Sequence, residues 1–248
     1  MTFIAATLMI YSLIIGSMIY QGLNDQRDRA EGSATAAAKA VTINTGWIVE
    51  VAAQALRRMD SALGREVQPR EVSTLSSLRD ALEGLPATAK AYIVAADGRT
   101  IYTSDPDFVD IDIRDREYFA EPAAGKHFFT SSLLISRIDG NEIFTFSRRL
   151  ERQGVFIGVA IISFDAVLLR GLHESLDLGP GSTISILRSD GMLVARYPPA
   201  DGPLDLSNYR LFTDLLPESA VGSYSAKSPL DRVQRVVSYQ TVPGTDLI

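Results

Sequence analysis

The same strand–turn–strand syntax occurs twice in this chain, and each occurrence dictates an antiparallel pair. Residues 91–95 (Ala-Tyr-Ile-Val-Ala) read as a strand, and Ala96-Asp97-Gly98-Arg99 reads as a tight turn, because Asp-Gly accepts positive φ. Residues 100–104 return as a second strand, which Asp105-Pro106 stops. At Asp190-Gly191, 93 residues on from Asp97-Gly98, the pattern repeats. Residues 183–187 form the strand, Ser189-Asp190-Gly191 the turn and residues 192–196 the return, stopped by Pro198-Pro199.

The ends of the two copies also correspond. Residues 142–148 and 155–162 read as strands joined at Gln153-Gly154, and residues 233–239 lead through Pro243-Gly244 to the start of a strand at 246–248. A buried strand that stopped at its first apolar residues would leave its neighbour unpaired, so the sequence is expected to be cut within that strand. Residues 165–176 read as a helix between the copies. The fold class expected is α+β: two tandem modules, each an antiparallel sheet with helices on one side.

What precedes the copies is helical. Residues 2–24 carry no charge, and the apolar run 3–20 is long enough to cross a bilayer, with Tyr20 at interfacial depth. No basic start precedes it, which separates it from a cleaved signal peptide. Residues 25–64 contain no proline. Ile48, Ala52, Ala55, Leu56, Met59 and Leu63 fall on one helical face, with Gly64 and Pro69 as the stop. A short second helix is expected over 71–82.

Composition removes whole classes of function. Net charge is −6, and Lys and Arg are scattered, so nucleic acid is not an expected partner. There is no cysteine, and His127 and His173 are far apart, so disulfides, thiolate chemistry and a metal site are not expected. No Gly-x-Ser-x-Gly elbow occurs. Gly179-Pro180-Gly181-Ser182 lacks a P-loop lysine and precedes a strand, so it reads as a turn. No catalytic residue and no cofactor are assigned in this chain.

From residue 43 to 248 the sequence resembles the double Cache family of sensor domains, also called tandem PDC domains. Four elements carry the resemblance: the Asp97-Gly98 hairpin, the run Asp115-Arg116-Glu117-Tyr118-Phe119, the strand ending Gly158-Val159-Ala160-Ile161, and the second hairpin running into Ala195-Arg196-Tyr197-Pro198-Pro199. The resemblance implies an extracytoplasmic sensor in the inner membrane, working as a homodimer and lacking its cytoplasmic output, a histidine kinase or diguanylate cyclase. The division it implies is a transmembrane helix at 1–24, the long and short helices at 25–87, a membrane-distal module at 88–165, a connecting helix at 166–179 and a membrane-proximal module at 180–248.

In that family the distal module holds a small organic ligand. Its Arg-x-aromatic motif falls on Arg116 and Tyr118. A guanidinium matches a carboxylate bidentately, and a tyrosine hydroxyl adds a donor beside an apolar ring. Sheet-side candidates are Ser131, Ser132, Phe144, Phe146 and Ser163, with only one of Thr145 and Phe146 able to face inward. Phe119 is assigned to the core. Where amino-acid-binding members carry an aromatic-x-Asp pair and a strand Asp, this chain has residues 134–136 and Ser163, and Asp165 falls beyond the expected place, at the start of the connecting helix. A small carboxylate is therefore expected in place of a classical amino acid. Arg196, Tyr197, Arg232 and Arg235 of the second copy read as surface charges. The competing expectation is a membrane-tethered scaffold that binds a protein partner and no small molecule.

Overall fold

The computed structural model describes residues 2–63, 72–108, 111–200, 202–228 and 231–248; side chains at 2–10, 12, 23 and 72–75 lie outside that description. Helix α1 (Thr2–Ala62) is continuous. At 1.5 Å per residue its length is roughly 90 Å. The expected crossing segment 3–20 is the first part of this helix, and much of it lies among the undescribed side chains. Among the described residues no helix is long and apolar enough to cross a membrane. Gly64 and Pro69 fall outside the described residues. The second helix, α2, is Val72–Asp80.

The first copy forms a six-stranded antiparallel sheet. Its strands are β1 (Lys90–Ala95), β2 (Thr100–Thr103), β3 (Phe128–Thr130), β4 (Leu134–Ile135), β5 (Glu142–Arg152) and β6 (Val155–Asp165), ordered β2-β1-β6-β5-β3 with β4 also on β5. One face packs on α1: Ile48, Ala52, Leu56 and Met59 share a core with Phe144, Phe146, Phe164 and Ile162. Asp60 anchors the helix end to β5 through Arg152 at 2.7 Å and Arg148 at 3.3 Å. The other face carries a smaller core of Val94, Val159, Ile161, Ile113 and Phe119, the last on α3 (Glu117–Ala123).

After α4 (Leu168–Leu176), shorter than the helix expected, the second copy differs from the first. An equivalent sheet was expected; the described strands there make two separate pairs. These are β7 (Ile184–Leu187) with β8 (Leu193–Tyr197), and β9 (Val221–Lys227) with β10 (Gln234–Gln240). Strand β9 has no counterpart in the sequence reading, because Val-Gly-Ser-Tyr-Ser-Ala-Lys shows little apolar alternation. A π turn (Leu211–Leu215) and the short α5 (Leu216–Glu218) precede it. Residues 246–248 lie against β7: the amide of Ile248 donates to Leu187 O at 2.8 Å, and the Leu187 amide donates back at 2.9 Å. The early part of α1 meets β9 and β10 through Thr35–Ser238 at 3.2 Å and Glu31–Ser223.

The two hairpin turns are built alike. Gly98 N–H donates to Ala95 O and Gly191 N–H to Arg188 O, both at 2.9 Å, and Asp97 and Asp190 each accept from the amide two residues on. Both glycines have positive φ, +88° and +92°. Their surroundings differ. A Cβ on Gly98 would meet only the flexible Arg114 side chain, whereas one on Gly191 would lie 2.3 Å from the backbone nitrogen of Ser207. Gly191→Ala is therefore expected to cost about 3 kcal/mol and Gly98→Ala about 1 kcal/mol in denaturant unfolding. Equal losses would show that the Ser207 crossing does not matter.

Candidate ligand-binding site

The sheet face opposite α1 forms the floor of a cavity of about 220 Å³. Antiparallel register decides which side chains reach it. Lys90 on β1, Ser163 on β6 and Thr145 on β5 are aligned in one row across three strands, with Tyr92 and Ile161 in the next row and Ile143 and Asp165 on the other side. The cover comes from Ile111, Ile113, Arg116 and Tyr118, and from the segment 134–141. Arg116 is the N-cap of α3 with extended backbone, so the chain turns into the helix with Arg116 and Tyr118 both on the cavity wall.

The charges of this cavity are mostly paired. Lys90 Nζ contacts Asp105 at 3.1 Å and Asp139 at 3.3 Å. Burial pulls the Lys90 ammonium down, and hydrogen bonds and the charges of Asp105 and Asp139 outweigh that and raise it. Ser136 holds the Asp139 carboxyl below its usual range. Tyr92 donates to Asp105 at 3.0 Å, and burial, then the Asp105 charge, pushes its hydroxyl well up, so it stays protonated at neutral pH. Burial also raises Tyr118, against the pull of Arg116 and Arg137. Arg137 is bidentate to Asp115 at 2.6 and 2.9 Å. Asp165 ends β6, and its Oδ1 accepts from Val167 N–H at 2.8 Å.

Two polar groups stand apart from this pairing. Among the described residues Arg116 has no carboxylate partner; its Nη2 donates to the carbonyl of Ile135 at 3.2 Å. The Oγ1 of Thr145, a residue 1% exposed, has no hydrogen-bond partner among the described residues.

Of the residues singled out by sequence, Arg116, Tyr118 and Ser163 meet at this cavity, and Phe119 is in the core. The other four do not meet there. Phe144 and Phe146 point to the α1 side, where Phe146 packs on Phe128, Phe144 and Phe164 at centroid distances of 5.7–5.8 Å. Thr145 takes the inward position. Ser131 is buried, accepting from Thr145 N–H and donating to Ser132 O, both at 2.8 Å. Ser132 donates from its amide and its hydroxyl to Glu117. Both serines are fully used in holding loop to strand. Asp165 is a correction in the other direction: it starts the turn into α4, as expected, yet it also lines the cavity. Asp115 pairs with Arg137. Lys90, Arg137, Asp139 and Asn141 were missed. Lys90, Tyr92 and Val94 alternate along β1, so the period-two rule was a usable signal for Lys90.

A sheet backed by a long helix and roofed by a looped cover over a small cavity is the architecture of a small-molecule sensor domain. The chain belongs to the Cache domain family, whose model matches residues 15–248. A comparison with curated proteins returns no match. Among solved structures, the extracellular domain of rpHK1S-Z16, described as a histidine kinase, is 27% identical with a TM-score of 0.65 over 92% of each chain. The ligand-binding domain of the Pseudomonas fluorescens chemoreceptor CtaA, in complex with L-isoleucine, is 14% identical with a TM-score of 0.62, over 90% of this chain and 92% of that one. The Pseudomonas aeruginosa PAO1 amino acid chemoreceptor PctC, in complex with GABA, is 16% identical with a TM-score of 0.59, over 89% of this chain and 94% of that one. The two chemoreceptor domains share the fold with this chain.

Proposed function

We propose that this chain is the periplasmic ligand-sensing part of a transmembrane signalling protein, and that its cavity takes a short carboxylate held by Arg116 and Tyr118. The observation that carries this reading is the Arg116 guanidinium on the cavity wall with, among the described residues, a single backbone carbonyl as hydrogen-bond partner. A carboxylate supplies the bidentate acceptor that such a group lacks. Ser163 contributes from the floor. The anchor is the apolar run 3–20, and the six-stranded unit 88–165 is the membrane-distal module. The 27% identity to a domain described as a histidine kinase's favours a kinase output over a cyclase. Ile43 and Trp47, exposed one turn apart on α1, are the proposed contact of a homodimer. A ligand shifts such a device only by its differential affinity for two shapes.

A second reading is favoured by Asp165. Its carboxylate lines the same cavity, so a zwitterion with its ammonium at Asp165 is the competitor, as the ligands of the chemoreceptor neighbours suggest. The test is a thermal-shift panel of small carboxylates, amino acids and amines, on wild type and Arg116→Ala. A ligand at a hundredfold excess over Kd stabilises by about 2.7 kcal/mol. A carboxylate shift lost in Arg116→Ala is the expected result. Shifts confined to amino acids support the second reading, and no shift from any member leaves the scaffold.

A further inference from the structure

We infer that the ligand of this cavity carries a neutral hydroxyl beside its carboxylate, making it a short hydroxy acid that Thr145 selects; this rests on the carboxylate reading above. The orphaned Oγ1 of Thr145 is the starting point. A buried hydroxyl without a partner is unfavourable, and native structures rarely keep one except where a ligand or ordered water completes it. Thr145 lines the floor of the cavity, in register with Ser163 across the strand pair. At that spacing the two side chains are neighbours, with Cβ atoms about 5 Å apart.

The neighbourhood argues for a neutral partner. The hydroxyls of Thr145 and Ser163 present no formal charge. Lys90, at the end of the same row, is already held by Asp105 and Asp139. Asp139 is engaged by Lys90, by the Asn141 amide and by Ser136. Asp165 turns one oxygen to the amide of Val167. A ligand hydroxyl can both donate to and accept from a threonine, whereas an ammonium gains most from a carboxylate it does not have to share. The cavity, about 220 Å³, is at the small end of ligand sites, which suits a molecule of few carbons.

The experiment is calorimetric titration of the purified chain with matched triplets: propanoate, lactate and alanine, then butanoate, 3-hydroxybutanoate and 4-aminobutanoate. Wild type is expected to prefer the hydroxy acid over its plain counterpart by about tenfold or more in at least one triplet. Thr145→Val, which keeps the shape and removes the hydroxyl, is expected to bring that ratio near one. Thr145→Ser is expected to retain the preference, and circular dichroism melts of both variants confirm folding. Equal binding of plain and hydroxy acids, or a preference that survives in Thr145→Val, overturns the inference while leaving the carboxylate reading standing. Tightest binding of the amino acid overturns it in favour of an ammonium at Asp165. If no member binds, the carboxylate reading fails and this inference falls with it.

Discussion

Arg188→Ala is expected to lower unfolding free energy by about 3 kcal/mol, near the lower end for breaking a buried charge pair. In a chain of this size that is about 6–12 °C in Tm. Arg188 is 8% exposed and sits in the turn of the second hairpin. Its guanidinium donates to Asp190 at 2.8–3.0 Å, to the carbonyl of Thr130 at 2.8 Å and to Glu117 at 3.3 Å, and it lies over the Phe129 ring at 5.1 Å. Glu117 in turn holds both donors of Ser132. One side chain therefore ties the second hairpin to α3 and to the end of β3. Truncation strands a buried carbonyl and two carboxylates. The estimate stays low because Asp190 is 53% exposed at its side chain, and water recovers part of that loss.

The same variant should show a changed acid limb. Burial would raise the Asp190 carboxyl, but the hydrogen bonds from Arg188 outweigh it and hold the group below its usual value. A depressed carboxylate stabilises the fold above its unfolded pKa, and that contribution is lost as pH falls through the folded one. Arg188→Ala should thus be less acid-sensitive than wild type below about pH 4. Chemical unfolding at pH 7 and pH 3 measures both effects. A loss under about 1 kcal/mol at pH 7 would mean the hub is dispensable.

Phe146→Ala is expected to cost about 3–5 kcal/mol of stability and to leave ligand selectivity unaltered. Phe146 is 1% exposed, and its ring meets three other phenylalanines under α1. Thr145, one residue before it, faces the cavity, so Thr145→Val should do the reverse: little change in stability, a change in binding. The check is denaturant unfolding followed by titration at a temperature where both variants are folded. A Phe146→Ala protein of near wild-type stability that no longer binds would place the ring in the cavity and refute the facing assigned to β5.

The pair Thr145 and Phe146 also shows where sequence reading stopped. Period-two alternation makes one of them inward, and both patterns were open, because the residues flanking β5 on each face are apolar or buried: Phe144 and Phe146 on one side, Thr145 and Ser147 on the other. With both faces covered, the contrast between the phenylalanines and the hydroxyl residues does not say which face meets α1 and which the cavity. Only the register with β6, which sets Thr145 opposite Ser163, decides it. Arg116 and Tyr118 were legible because their motif sits at the start of a helix on the cover, where no facing choice arises.

Local rules were sufficient for the long helix, the two hairpins and their positive-φ glycines, since each follows from proline absence, apolar spacing or turn chemistry within a few residues. The order β2-β1-β6-β5-β3, the placing of Thr145 and Asp165 at the cavity and the Arg188–Glu117 tie were decided by the tertiary structure. The same contrast appears at Gly98 and Gly191, identical in local geometry but crossed by a flexible side chain in one place and by backbone in the other. The physical reason is common to all of them. Turn and helix preferences are free energies of neighbouring residues, whereas facing, pairing and crossing depend on residues far apart in the chain, 71 positions in the case of Glu117 and Arg188, which meet only once the chain has packed.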